Sequence, residues 1–171
     1  MRSSLASAKC RKIGPLTSFS QLAADTLIRE RMPVLGEAAD EVGGPQIRNI
    51  GTVGGNVCNG VTSADTAPTL FAYNAELELS GAGGTRRLGI AEFYLGPGRT
   101  DVRADELLTA IYIPRVSWER CFGRYIKYSM REALDISTLG CSINARLSED
   151  GRSLERVRIA YGVAGPVPSR C

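Results

Sequence analysis

The sequence predicts an α+β fold, and three observations predict it. Apolar residues recur at helical spacing as far as residue 42. From Ala75 onward they alternate with polar residues at a period of two. Between these regimes lies a glycine-rich stretch, residues 43–68, that follows neither period. The chain has 171 residues and 43% hydrophobic content, near the ordinary globular value. That length suits one domain, with two small lobes as the alternative.

Residues 1–12 read as a tail, disordered or partly extended. Its Lys9-Cys10-Arg11-Lys12 cluster reads as a solvated terminal charge run. Leu16 to Phe19 leads into a first helix. Thr17 or Ser18 can cap it, and Phe19, Leu22, Ala23 and Leu27 share one face. A second helix is expected from near Met32. Pro33 suits its first turn, where the missing amide would lack a partner anyway, and Val34, Leu35, Ala38, Ala39 and Val42 form its apolar stripe. Gly43-Gly44-Pro45 ends it.

The stretch from Gly43 to Asn56 continues through Cys58-Asn59-Gly60 to Ser63-Ala64-Asp65. Without a Cβ, glycine lets a backbone turn sharply or approach a ligand, and consecutive amides in such a turn can form a nest for an anion. Thr52, Asn56 and Asp65 are sources of directed hydrogen bonds. The competing reading is a glycine-rich loop between core elements. Neither a Walker A loop nor a GxGxxG pattern is present. Asp65 or Ser63 can cap a short helix running through Thr66, Ala67 and Pro68 to Leu70 and Phe71. Alternatively, Asp65 can accept from a sugar hydroxyl, because an ionised carboxylate only accepts. Cys58 reads as a small buried filler or as a group near a ligand.

Ala75, Leu77 and Leu79 alternate with polar residues, Gly81-Ala82-Gly83-Gly84 turns, and Arg86 to Ile90 returns as a strand. Phe93-Tyr94-Leu95-Gly96-Pro97-Gly98 reads as a loop. Leu107 to Ile113 is a strand closed by Pro114, and Pro114 to Arg120 is a linker. Cys121–Ser129, Ile136–Leu147 and Leu154–Val163 then form an antiparallel sheet, with Glu149-Asp150-Gly151-Arg152 as a hairpin turn. Such a sheet needs a packed layer on one face. No convincing helix follows it, so the second lobe reads as incomplete, with exposed apolar strand faces.

Composition narrows the function classes. The 21 basic and 18 acidic residues leave a net charge of +3, without the dense basic block of a nucleic-acid binder. Histidine is absent, which removes the commonest general base and metal ligand. Five cysteines lie far apart with no CxxC and no zinc-like pairing, as expected of free thiols in a reducing compartment. No apolar run approaches membrane-spanning length, and residues 1–12 lack the apolar centre of a signal peptide. A cytoplasmic location is the expectation.

Thr52-Val53-Gly54-Gly55-Asn56, with Ser63-Ala64-Asp65 and Gly96-Pro97-Gly98, resembles the FAD-binding subunit of xanthine dehydrogenases. More broadly it resembles the flavoprotein subunit of the molybdenum hydroxylases, with its PCMH-type FAD-binding domain. Gly44-Pro45-Gln46-Ile47-Arg48-Asn49, Cys58-Asn59-Gly60, Glu106-Leu107-Leu108, Ile113-Pro114, Lys127 and Asp135-Ile136 extend the likeness. It runs from about residue 12 to the end. The resemblance implies an atypical tail over 1–12, a partial second FAD-binding subdomain over 13–116 and an incomplete C-terminal subdomain over 117–171. It also implies FAD as cofactor, relaying electrons to NAD during purine hydroxylation. The electrons would come from 2Fe-2S clusters and a molybdopterin cofactor on iron–sulfur and molybdenum subunits. A related enzyme with a non-purine substrate, and an inactive scaffold, are the competing readings.

Carried over by position, Thr52, Gly54, Gly55 and Asn56 correspond to the loop that holds the FAD phosphates, and Asp65 to a FAD-contacting aspartate. Leu108 corresponds to a residue packed on the flavin. Lys127 corresponds to a lysine near the isoalloxazine, where a cation stabilises charge on the reduced ring. Alone, Lys127 reads as a surface strand lysine. Phe93 and Tyr94 pack either near the ring or in the core. The family's separate N-terminal Gly-Gly phosphate loop has no counterpart in residues 1–11, so truncation at both ends is expected. No side chain is expected to act as acid, base or nucleophile.

Overall fold

A computed structural model of the chain describes residues 10–171; the part of the predicted tail at residues 1–9 lies outside them. Cys10–Ile13 forms strand β1, so the end of that tail is extended and paired. The charge run also has partners. The Arg11 guanidinium lies 5.2 Å from the centre of the Trp118 ring, and the Lys12 ammonium 5.7 Å from that of Tyr112.

The expected first helix is two helices, α1 (Phe19–Ala24) and α2 (Thr26–Arg31). Ser18, not Thr17, caps α1. Its hydroxyl accepts from the Gln21 amide at 3.2 Å, and the Gln21 side chain accepts from the Ser18 amide at 3.0 Å. The break falls at Asp25, which ends α1 and caps α2 by accepting from the Ile28 amide at 3.0 Å. A local side-chain acceptor there outweighs continued helical periodicity. Helix α3 (Pro33–Asp40) begins at its proline as expected and buries Val34, Leu35, Ala38 and Ala39.

The glycine-rich stretch is not one loop. Gly43 adopts a φ of +48°, and the chain then winds into α4 (Pro45–Ile50) and α5 (Val53–Cys58). Helix α6 (Thr66–Ala72) follows, buried at every position. It packs against α3 and α5 and against strands from later in the chain.

Strands β2 (Glu76–Gly81) and β3 (Gly84–Gly89) form the expected hairpin. The predicted aromatic loop is instead helix α7 (Ile90–Phe93) and a ribbon of β4 (Tyr94–Gly96) and β5 (Arg99–Thr100). Phe93 and Tyr94 are core residues, their rings 5.7 Å apart. Strand β6 (Glu106–Pro114) runs between β1 and β2, so the first sheet has the order β1-β6-β2-β3 and is antiparallel throughout. Arg86 on β3 reaches across β2 to grip Glu106 at both carboxylate oxygens, at 2.7 and 2.8 Å.

The predicted linker is part of the core. It holds a single tight turn, Arg115–Ser117, followed by the buried Trp118. The second sheet contains the three expected strands, β7 (Cys121–Tyr128), β8 (Leu139–Leu147) and β9 (Leu154–Gly162), with β10 (Ser169–Arg170) at its margin. Strand β8 starts later than expected because Asp135 folds the preceding loop, accepting from the Arg131 and Ile136 amides at 2.8 and 3.0 Å. Helices α3 and α6, from earlier in the chain, cover the inner face of this sheet. The Asn144 side chain ties β8 to the Arg115–Ser117 turn by donating to the Ser117 carbonyl at 2.8 Å, and to the end of α6 by donating to the Ala72 carbonyl at 3.5 Å. The outer face remains open, with Phe122, Ile126 and Tyr128 at 50%, 54% and 64% exposure. At the free edge of β7, Glu37 of α3 accepts from the Tyr125 amide at 3.1 Å and from Arg124 at 3.3 Å. All five cysteines are free, and among the described residues no helix is long and apolar enough to cross a membrane.

The Arg86 guanidinium, with the Arg103 amide, holds the Glu106 carboxyl down at about 2. A depressed acid stabilises the fold above its unfolded pKa, about 4.3 for glutamate, and loses that contribution as pH falls towards the folded value. The melting temperature of the parent chain should therefore fall between about pH 4.3 and pH 2 more steeply than that of Glu106→Gln. Parallel melting curves for the two proteins would refute this.

Candidate functional site

Thr52 caps α5, its hydroxyl accepting from the Gly55 amide at 3.1 Å. The neighbouring amides also have partners inside the chain. Val53 donates to the Thr17 carbonyl at 3.0 Å, Gly54 to the Pro15 carbonyl at 2.8 Å and Asn56 to the Thr52 carbonyl at 3.0 Å. The amides expected to form an anion nest are thus closed on residues 15–17 and on the cap. Gly54 is needed for that closure, because a Cβ there would lie 2.5 Å from the Pro15 Cβ and 2.6 Å from its carbonyl oxygen. Gly55 is exposed, and a Cβ there would meet only the Thr52 hydroxyl, at 3.0 Å, outside its own helix backbone. Of the two glycines, Gly55 alone leaves the α5 backbone open to approach.

Asn56 and Asp65 point elsewhere. The Thr66 hydroxyl donates to Asn56 Oδ1 at 2.6 Å, and Asn56 Nδ2 has no partner among the described residues. Asp65 stands at the start of α6, yet its carboxylate makes no capping bond. Its Oδ1 accepts from the Tyr125 hydroxyl at 2.9 Å and its Oδ2 from the Lys127 ammonium at 3.1 Å. Lys127 also donates to the Glu41 carbonyl at 2.8 Å. The two charged side chains are only 6% and 8% exposed. Both simpler expectations therefore fall: Asp65 is not a side-chain cap, and Lys127 is not a surface lysine. Burial holds the Asp65 carboxyl above the usual aspartate range, with Glu41 adding to the rise. The Lys127 charge and the hydrogen bonds from Tyr125 and Lys127 oppose it.

Asn56 and Asp65 line one cavity of about 280 Å³, with Ser63, Ile47, Leu134 and Ile136. Lys127 lines an adjoining cavity of about 220 Å³, which shares Gly43, Leu134 and Asp135 with the first. Thr52, Gly54, Gly55 and Leu108 line neither. Leu108 sits on β6 opposite Leu79, half-buried against the core. Cys58 also packs half-buried on the core, its thiol pushed up by burial, as befits a filler. A larger cavity, about 830 Å³, lies between β1 and α1–α2 and contains none of the predicted site residues.

Two residues that bond to the candidate side chains, Thr66 to Asn56 and Tyr125 to Asp65, were not among those singled out from sequence. For Tyr125 a signal was present. It lies two positions before Lys127 on a strand, so the two side chains leave the same face of the sheet. Thr66 carried no signal beyond its place beside Asp65.

The family described as "FAD binding domain in molybdopterin dehydrogenase" matches residues 4–116. The chain is 43% identical over 160 residues to the xanthine dehydrogenase FAD-binding subunit of Escherichia coli O157:H7, covering 94% of this chain and 54% of that protein. It is 32% identical over 142 residues to the nicotinate dehydrogenase FAD-subunit of Eubacterium barkeri, covering 81% and 48%. Its fold matches that of carbon monoxide dehydrogenase from Hydrogenophaga pseudoflava lacking the Mo-pyranopterin moiety of the molybdenum cofactor. The TM-score is 0.88 at 28% identity, over 99% of this chain and 56% of that one. The chain spans about half the length of the curated relatives it matches.

Removing one partner of a buried ion pair leaves the other charge uncompensated, at a cost of about 3–5 kcal/mol. Lys127→Met should therefore lower unfolding stability in urea at neutral pH by about 3 kcal/mol or more. The deficit should narrow as pH falls, because a protonated Asp65 needs no counter-charge. A deficit independent of pH would contradict the pairing.

Proposed function

Because the chain belongs to the FAD-binding domain family of the molybdopterin dehydrogenases, we propose that it serves as FAD-holding portion of a xanthine dehydrogenase-like molybdenum hydroxylase. Bound FAD would supply electron transfer to NAD, from 2Fe-2S centres and a molybdopterin cofactor on partner subunits, during purine hydroxylation. The residues fit such a cofactor at two points. Gly55 leaves room for a cofactor to pass close to the α5 backbone, whose amides are already bonded within the chain. Asn56 Nδ2 and the Asp65 carboxylate offer a donor and an acceptor on one cavity, which matches a hydroxyl group.

Lys127 pairs with Asp65 in a desolvated setting and opposes the rise that burial imposes on its carboxyl. On this reading Lys127 acts first by maintaining the acceptor and only secondarily as a cation. Thr52 and Gly54 hold α5 against residues 15–17, and Leu108 belongs to the apolar surround. The protein's part is to bind, orient and exclude water; no side chain is assigned a proton-transfer step. The observation that carries the reading is that Asn56 and Asp65, from two separate family motifs, meet on one cavity. The 43% identity favours a purine substrate. The free thiols suit a cytoplasmic setting.

Two observations favour other readings. The nicotinate and carbon monoxide names among the relatives support a non-purine substrate. The engagement of the α5 amides by Pro15 and Thr17 supports a scaffold without cofactor.

Flavin absorbance of the chain, copurified with its iron–sulfur and molybdenum subunits, separates these. One FAD per chain with xanthine-dependent NAD reduction is the expected result. Flavin with oxidation of nicotinate or carbon monoxide, but not xanthine, would replace the substrate. A folded complex without flavin would leave only the scaffold. Gly55→Leu should weaken FAD binding about tenfold, equivalent to about 1.4 kcal/mol. Unchanged affinity would remove Gly55 from the site.

A further inference from the structure

The cavity shared by Asn56 and Asp65 has a defined polarity, and two buried hydroxyls define it. Thr66 is fully buried, and its only acceptor among the described residues is Asn56 Oδ1, at 2.6 Å. A flipped Asn56 amide would present Nδ2 to Thr66 and leave the threonine hydrogen buried without an acceptor. An unmet buried donor costs more than a made bond contributes. Thr66 therefore turns the nitrogen of Asn56 towards the free side.

Tyr125 does the complementary work at Asp65. Its hydroxyl donates to Oδ1 at 2.9 Å while Lys127 occupies Oδ2, so the plane of the carboxylate is held at both oxygens. The hydroxyl fits a niche opened by Gly140, where a Cβ would stand 3.1 Å from it. The amide of Tyr125 is pinned in turn by Glu37 at 3.1 Å. A carboxylate has about four lone-pair directions, so lone pairs remain for a ligand.

Resting on the FAD reading above, we propose that Thr66 and Tyr125 are positioning residues that make this cavity selective for a hydroxyl-bearing carbon chain. The donor from Asn56 and the acceptor from Asp65 together match a C–OH group, which both donates and accepts. They do not match a phosphate, which offers only acceptors and would meet the Asp65 charge. Within FAD this chemistry occurs in the ribityl chain and in the ribose. The cavity is therefore assigned to one of those two segments and not to the pyrophosphate.

The test uses the full chain with FAD, riboflavin and ADP as separate probes. Riboflavin carries the ribityl chain without ribose, and ADP carries ribose without the ribityl chain. Thr66→Val should weaken FAD binding about tenfold, while Thr66→Ser, which keeps the donor, should stay within about twofold of the parent. Tyr125→Phe should weaken binding and move the acid limb of the affinity–pH profile to higher pH, because the carboxylate loses a donor. Asp65 is faced by Tyr125 and Lys127 from β7 and by Glu41 after α3, and Asp135 of the β7–β8 loop lines the same cavity. The profile is therefore read against Lys127→Met. Loss of riboflavin binding in Thr66→Val assigns the ribityl chain; loss of ADP binding assigns the ribose. FAD binding by the parent, with Thr66→Val and Tyr125→Phe indistinguishable from it in affinity and pH profile, overturns this inference alone. A parent chain that binds none of the three probes overturns the FAD reading as well.

Discussion

A carboxylate and an ammonium, both almost out of water and 3.1 Å apart, join the helical layer to the second sheet. Taking two charges out of solvent is costly, and their mutual attraction offsets the cost only when the geometry is good and the remaining polar atoms are bonded. Here Tyr125 takes the second oxygen of Asp65 and the Glu41 carbonyl takes another proton of Lys127. The start of α6, the segment after α3 and strand β7 meet at this one pair. The position of the 280 Å³ cavity follows from it, because Asp65 contributes one wall and the β7–β8 loop another.

Much of the fold was legible because it follows from local rules. Pro33 marked the start of α3, the period-two alternation marked β2, β3 and β6, and the Gly151 turn marked the β8–β9 hairpin. The misses have physical causes. Asp25 interrupts a run whose apolar spacing continues through it, because a carboxylate at that point bonds a nearby amide better than a helix interior would use it. In the glycine-rich stretch, Pro45 and Thr52 supplied helix starts that the glycines obscured. Asp65 sits where a cap would sit, but two partners 60 and 62 residues later claim both its oxygens. No local pattern announces such a meeting. The family resemblance pointed to Lys127 where strand periodicity alone gave only a direction.

Gly54 and Gly55 show how adjacent identical residues divide their duties. The first has no Cβ because Pro15 stands in its place; a Cβ on the second would meet only the capping hydroxyl of Thr52, at 3.0 Å, outside its own helix backbone. A motif read as a single phosphate-holding unit is therefore half packing and half access. The same separation runs through the site as a whole. Around Gly55 the chain offers room, whereas between Asn56 and Asp65 it offers a fixed donor and a fixed acceptor.

The grip of Glu37 on the margin of β7 has one more consequence. A terminal strand with free amides is a template on which another extended chain can grow. With its carboxylate on the Tyr125 amide and its other oxygen on Arg124, Glu37 fills the template in the middle of the strand. An incoming strand would have to displace a charge-assisted bond before it could align. The residue that steadies the tyrosine beside Asp65 thus also occupies one edge amide of β7, so at that point the margin is covered from a helix and not by the strand's own sequence.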